Sequence, residues 1–133
     1  MKLLALRWLK FNFVGALGIP IQLGCLELLA NVLGVGYLPA TALSVETAVL
    51  HNFVWHERFT WKDRTGHSRA RDVAGRLVRF HAGNGLISIL GNLALMRLLV
   101  GALHLKVLPA NCITIAVCSL LNFAASEWFV FRR

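Results

Sequence analysis

Charge is scarce in this sequence. Of its 133 residues only 15% are Asp, Glu, Lys or Arg, and six are acidic, whereas an ordinary soluble domain carries about 25% charged residues. That shortage argues against a soluble enzyme domain. Cysteine is also sparse: Cys25, Cys112 and Cys118 all sit inside apolar segments without the paired spacing of a metal site, so they read as small buried hydrophobes, and neither a disulfide nor zinc is expected. No Ser-His-Asp set, phosphate-cradling glycine loop or zinc-protease histidine pair is present. His51 and His56 are five apart, which does not set two imidazoles on one helical face, and no second histidine follows His56-Glu57-Arg58 at the required step. The sequence thus points away from an enzyme and toward no metal or other cofactor. What it has instead is hydrophobicity, at 57% of residues and a mean hydropathy of +0.65. A spanning helix takes roughly 20 residues, so four or five spans would exhaust the chain.

The spans can be read in turn. Phe11 to about Leu33 is apolar apart from Asn12, Gln22, Glu27 and Asn31, and Gly34-Val35-Gly36 closes it. Pro39 opens a second segment that runs to about Trp55 and fades through Phe59 and Trp61, an aromatic cluster suited to headgroup level. Residues 62–76 are polar, basic and broken by glycine, as an aqueous loop would be. A third span covers about Phe80 to Val100. After a turn through His104 and Lys106, Pro109 opens a fourth, ending at Trp128-Phe129-Val130-Phe131. The predicted fold is an all-α membrane protein of four transmembrane helices in a single transmembrane domain. The start, MKLLALRWLKF, has the basic flavour of a secretory leader, but the apolar stretch behind it is too long and lacks a small-x-small cleavage site, so a retained first helix is expected.

Net charge is +8, which by itself suits nucleic acid, acidic lipid or a cytoplasmic loop bias equally. Position decides. With four spans, the N-terminus, the middle loop and the C-terminus share one side, and twelve of the fourteen lysines and arginines fall there, Arg132 and Arg133 among them. Arg97 and Lys106 are the exceptions. This is the bias of cytoplasmic segments, and it brackets hydrophobic spans rather than forming a basic face for nucleic acid. Both termini are therefore expected in the cytoplasm.

The halves also match each other. Leu38-Pro39-Ala40 aligns with Leu108-Pro109-Ala110, Asn52-Phe53 with Asn122-Phe123, and Glu57 and Phe59 with Glu127 and Phe129, at an offset of 70. With one residue of slack, Arg7-x-x-Lys10-Phe11 aligns with Arg76-x-x-Arg79-Phe80. The reading is two tandem parallel helical hairpins, about 7–62 and 76–133. Gly15-x-x-Gly18 and Gly83-x-Gly85 are placed to allow close helix approach or bending.

The two helix ends, HNFVWHERFTWK and LNFAASEWFVFR, each set an Asn-Phe step about one turn before a Glu and an aromatic, β-branched, aromatic, cation run after it. With the doubled basic-Phe start and four spans in about 130 residues, the chain resembles the GtrA-like family of small bacterial membrane proteins over nearly its whole length. The family pattern usually carries an Arg or similar residue where this chain has Glu57 and Glu127. The resemblance implies translocation of polyprenyl-phosphate-linked sugars across the bacterial cytoplasmic (inner) membrane for cell-envelope polysaccharide synthesis.

Such a substrate calls for cations or donors at headgroup level, aromatic platforms, and shelter for polar groups in the membrane. Lys10, Arg58 and Arg79 are the candidate phosphate partners, with Asn52, Trp55, His56, Asn122 and Glu127 around them. The same residue types equally serve as interfacial anchors. Glu27 and Glu46 lie inside spans, where an ionised group costs at least about 2.5 kcal/mol near the centre. Gln22, Asn31, Ser44, Asn92 and Arg97 are their expected company, either as a packing network or as a substrate or proton site. Four helices scarcely enclose a polar path, so self-association is expected, and a glycosyltransferase is a candidate partner. Two other readings fit the span count, namely a small proton-coupled multidrug exporter working through Glu27, and a non-transporting scaffold for a glycosyltransferase.

Overall fold

The computed structural model describes residues 1–132, and the side chains of Tyr37, Leu38, Val107 and Leu108 are outside the described set. Arg133, counted above among the cytoplasmic cations, also lies outside it. All regular structure in the described residues is helical. The chain divides into two compact units, Met1–Gly66 and His67–Arg133.

In the first unit, α1 (Lys2–Glu27) runs into a wide π-helical turn (Leu28–Val32), and α2 (Tyr37–Trp55) packs back along α1 before its own π turn (His56–Thr60). A single-turn helix, α3 (Lys62–Thr65), follows. The second unit has α4 (Ala70–Met96) with a π turn at Arg97–Ala102, then α5 (Val107–Ala125) with a π turn at Ser126–Val130. Bonds from Leu33, Trp61, Leu103 and Phe131 N–H back five residues, each at 2.9 Å, close these four turns. The turn ending α1 has five residues and the one ending α4 has six. The single residue of slack between the halves is absorbed there, because a π turn takes in an extra residue without breaking the helix.

The corners of the two hairpins match bond for bond. Val35 N–H reaches Leu29 O at 2.8 Å and Leu105 N–H reaches Leu99 O at 2.9 Å, the closing bond of a left-handed helix stop. The left-handed residue is Gly34 in one unit (φ 67°) and His104 in the other (φ 53°). At the start of α4, the Asp72 carboxylate accepts the Arg69 N–H at 3.1 Å, half of a capping box, with its charge favourable at the helix N-terminus.

Each hairpin closes along a row of residues four apart. Ala40, Ser44, Ala48, His56 and Thr60 of the first unit are buried, as are Ala110, Thr114, Cys118, Ser126 and Val130 of the second, with Asn52 and Asn122 half-buried in the same rows. Most are small, which lets backbones approach where lipid supplies no hydrophobic drive to helix pairing. The approach is closest at Gly18, where an added Cβ would lie 2.6 Å from Asn52 Oδ1. A Cβ at Gly15 would meet nothing within 4 Å. Many polar residues that interrupt the apolar segments are satisfied by their own helix: Asn12 donates to Trp8 O, Thr47 to Leu43 O, Asn92 to Ser88 O and Thr114 to Ala110 O, at 2.6–2.9 Å. Such back-bonding removes the cost of carrying them through hydrocarbon.

Among the described residues, three helices are long and apolar enough to cross a membrane: Lys2–Val32, Ala70–Ala102 and Pro109–Val130. Large apolar side chains such as Leu23, Leu28, Leu90, Leu93 and Ile115 are exposed along them, a surface that suits lipid and not water. The second segment is more polar than expected of a span, because α2 and its π turn carry Glu46, His51, Asn52 and His56. The cysteines do not share one environment: Cys118 is buried, Cys25 half-buried and Cys112 exposed. The expectation of three buried thiols is corrected for Cys112, which falls outside the four-residue row that begins at Ala110.

Candidate functional site

At the basic end of the first unit, the start of α1 meets the end of α2 and α3 around a cleft of about 290 Å³. Its lining is Leu3, Leu6, Arg7, Lys10, Phe59, Thr60, Lys62 and Asp63. Arg7 is nearly enclosed, with 6% of its side chain accessible, and its Nη2 pairs with Asp63 Oδ2 at 2.5 Å. Lys10 Nζ lies 4.7 Å from the centre of the Phe59 ring and 3.5 Å from the Phe59 carbonyl. Burial would raise the Asp63 carboxyl, but the hydrogen bond and the charge of Arg7, with help from Arg64, outweigh it and hold the group below its ordinary value. Asp63 is thus ionised at neutral pH. Three cations against one carboxylate leave the cleft with an excess of positive charge, which is what binding an anion requires.

Beneath the cleft lies an aromatic cluster. Phe11 and His56 stack with ring centres 4.7 Å apart at 10°, and Trp61 meets both edge-on, at 6.1 Å from Phe11 and 5.4 Å from His56. His56 Nδ1 lies 3.1 Å from Thr60 Oγ1. These rings hold the helix ends together, and so fix the positions of the cations above them. The spacing explains the arrangement: Arg7 and Phe11 are four apart on α1, and His56 and Thr60 are four apart on the α2 row.

Of the residues singled out from sequence, Lys10 lines the cleft. His56 is buried under it, and Asn52 sits one turn deeper, against Gly18 and 3.2 Å from His51 Nδ1. Trp55 is exposed and meets Phe59 edge-on at 6.2 Å; Arg58 is exposed and does not line the cleft. In the second unit, Arg79 Nη2 donates to Val130 O at 3.4 Å, while its buried Nε has no partner among the described residues. Asn122 donates to Ser88 Oγ and Asn84 to Ser126 Oγ, both at 3.3 Å, and Glu127 is buried. Of the intramembrane set, Glu27 accepts from Asn31 at 2.7 Å and Asn92 is held by its own helix. Glu27, Glu46 and Arg97 are exposed and Gln22 is half-buried.

The sequence reading missed Arg7, Lys62 and Asp63 as site residues. A signal existed for the first, because Arg7 and Lys10 are one turn apart on the face that also carries Phe11. None existed for Asp63, whose meeting with Arg7 joins residues 56 apart in the chain.

An all-helical membrane protein with a basic cleft at the end of one helical hairpin is the class that fold and site define. Residues 10–131 match the GtrA/DPMS transmembrane domain. The chain belongs to that family. It is also 37% identical over 75 residues to a dolichol-phosphate mannosyltransferase of Pyrococcus furiosus, an alignment that covers 56% of this chain and 20% of the archaeal protein. The match therefore spans about a fifth of that relative's length.

Proposed function

We propose that this protein passes polyprenyl-phosphate-linked sugars across the cytoplasmic membrane of a bacterium. In this reading the chain has four spans, α2 with its π turn being the fourth, arranged as two tandem helical hairpins with both termini cytoplasmic. The observation that carries the reading is the cleft of Arg7, Lys10 and Lys62, flanked by exposed leucines of α1 such as Leu3 and Leu6. Cations and lipid-facing apolar surface side by side match the phosphate and the isoprenoid tail of one molecule. Membership of the GtrA/DPMS family and the partial likeness to a protein named for dolichol phosphate and mannose support the substrate class. Lys10 and Arg7 take the phosphate, Trp55 and Phe59 offer faces to the sugar, and Arg58 anchors at headgroup level. Arg79, Asn122 and Glu127 mark the corresponding end of the second hairpin, while Gln22, Glu27, Glu46, Asn92 and Arg97 provide polar relay along the spans. Several copies assemble to enclose the path.

The test is reconstitution of the full chain in liposomes with defined polyprenyl-phosphate sugars, following the fraction that reaches the opposite leaflet. Transfer well above that of protein-free vesicles, lost in Lys10→Ala, is the expected result. No transfer with any polyprenyl-phosphate sugar would overturn the reading. A second reading is favoured by the size of the archaeal relative, five times the length of the stretch matched: the chain is the membrane anchor of a separate glycosyltransferase. In that case the liposomes show no transfer, while the transferase co-purifies with the chain and loses its membrane attachment when the chain is deleted.

A further inference from the structure

The cleft is already occupied by an anion of the protein's own. Arg7 is fixed, its guanidinium nearly enclosed, whereas Asp63 has 40% of its side chain accessible and sits on α3, a helix of four residues followed by Gly66. A carboxylate and a phosphate oxygen bind the guanidinium fork in the same way, so the two compete for Arg7. Lys10 and Lys62 border the same space and hold no comparable carboxylate in it. By the offset of 70 the sequence carries Arg133 where the first half carries Asp63.

We propose that Asp63 is a displaceable internal anion: it holds Arg7 in the empty cleft, and an incoming phosphate group takes its place on Arg7 while Lys10 and Lys62 supply the remaining charge. This rests on reading the cleft as a phosphate seat. Displacement moves Asp63, and with it α3, outward into solvent, where the freed carboxylate is fully hydrated.

Equilibrium binding of radiolabelled prenyl monophosphate to the full chain in nanodiscs of zwitterionic lipid tests the proposal, with inorganic phosphate as a competing ligand. Asp63→Asn and Asp63→Ser should bind the prenyl phosphate about three- to tenfold more tightly, the range expected when a part-exposed ion pair no longer competes. Asp63→Glu should bind as wild type does, and Lys10→Ala at least about tenfold more weakly, as loss of a charged hydrogen bond predicts. If Lys10→Ala weakens binding while both neutral Asp63 variants bind no better than wild type, the displaceable anion is overturned and the phosphate seat stands. If wild type binds no prenyl phosphate, or Lys10→Ala binds equally well, the seat itself is overturned and the displacement with it. Inorganic phosphate should compete only at far higher concentration; competition at equal concentration would overturn a lipid source for the phosphate.

Discussion

The two hairpins are built to one plan and filled differently. Their corners share the same closing bonds and their α2 and α5 rows bury corresponding positions, yet the first unit places His56 in an aromatic stack where the second has Ser126 bonded to Asn84. Asn52 lies against Gly18, whereas Asn122 bonds to Ser88. The first unit carries a cleft with the Arg7–Asp63 ion pair, lined also by Lys10, while Arg79, the counterpart of Lys10, donates to the Val130 carbonyl. Backbone geometry is set by features both halves keep, namely small residues in the rows, a left-handed corner and wide terminal turns. Chemistry is set by the few positions they do not keep.

The largest expected effect separates Lys10 from Arg79. Lys10→Ala should lower lipid-sugar transfer in liposomes at least about tenfold, and Arg79→Ala less than about threefold, since a charged hydrogen bond to ligand is worth about 1.5–3 kcal/mol and Lys10 lines the cleft whereas Arg79 does not. Equal losses would make the hairpins functionally equivalent. Next comes packing. Gly18→Ala puts a Cβ 2.6 Å from Asn52 and should destabilise the first unit by about 1–3 kcal/mol, whereas Gly15→Ala, with open space around it, should stabilise by about 0.5–1 kcal/mol through helix propensity. Reversible unfolding in mixed micelles distinguishes the two. At the corners, His104→Gly should gain about 1 kcal/mol by removing a side chain from a left-handed position, and Gly34→Ala should lose a similar amount. A shared loss would show that His104 makes a stabilising contact.

The smallest effect is that of pH on the Arg7–Asp63 pair. Because the folded Asp63 sits below its ordinary value of 3.8, its contribution is fully present above that value and is lost as pH falls through the lower folded value. Asp63 is 40% accessible, so the contribution is under about 1 kcal/mol. Unfolding midpoints of wild type and Asp63→Asn should differ at pH 7 and converge once the pH has fallen through the lowered value of the folded Asp63. An equal gap at both would assign the effect to packing.

Much of this could be read along the chain. Apolar segments, the Gly34-Val35-Gly36 corner and the basic bias are local patterns, and the internal offset pairs Arg7 with Arg76 and Asn52 with Asn122 along the sequence alone. The candidate site was legible only in part. Lys10 stands out through the Arg7-x-x-Lys10-Phe11 step, but His56, expected as a donor, stacks beneath the cleft against Phe11, and Arg58 is exposed and does not line it. Which way a residue faces near a helix end depends on the terminal turn. A π turn at His56–Thr60 shifts the facing of every residue after it relative to an α-helical continuation, and no propensity marks where such a turn falls.

The sequence by itself determined the membrane setting, the helical content and the likeness of the two halves, because hydropathy and spacing act over neighbouring residues. The tertiary structure decided which cation is enclosed, which carboxylate sits on it and which histidine is core. Those outcomes follow from contacts between residues 45 to 56 apart in the chain, Phe11 with His56 and Arg7 with Asp63, that exist only once two helices have packed and their ends have turned.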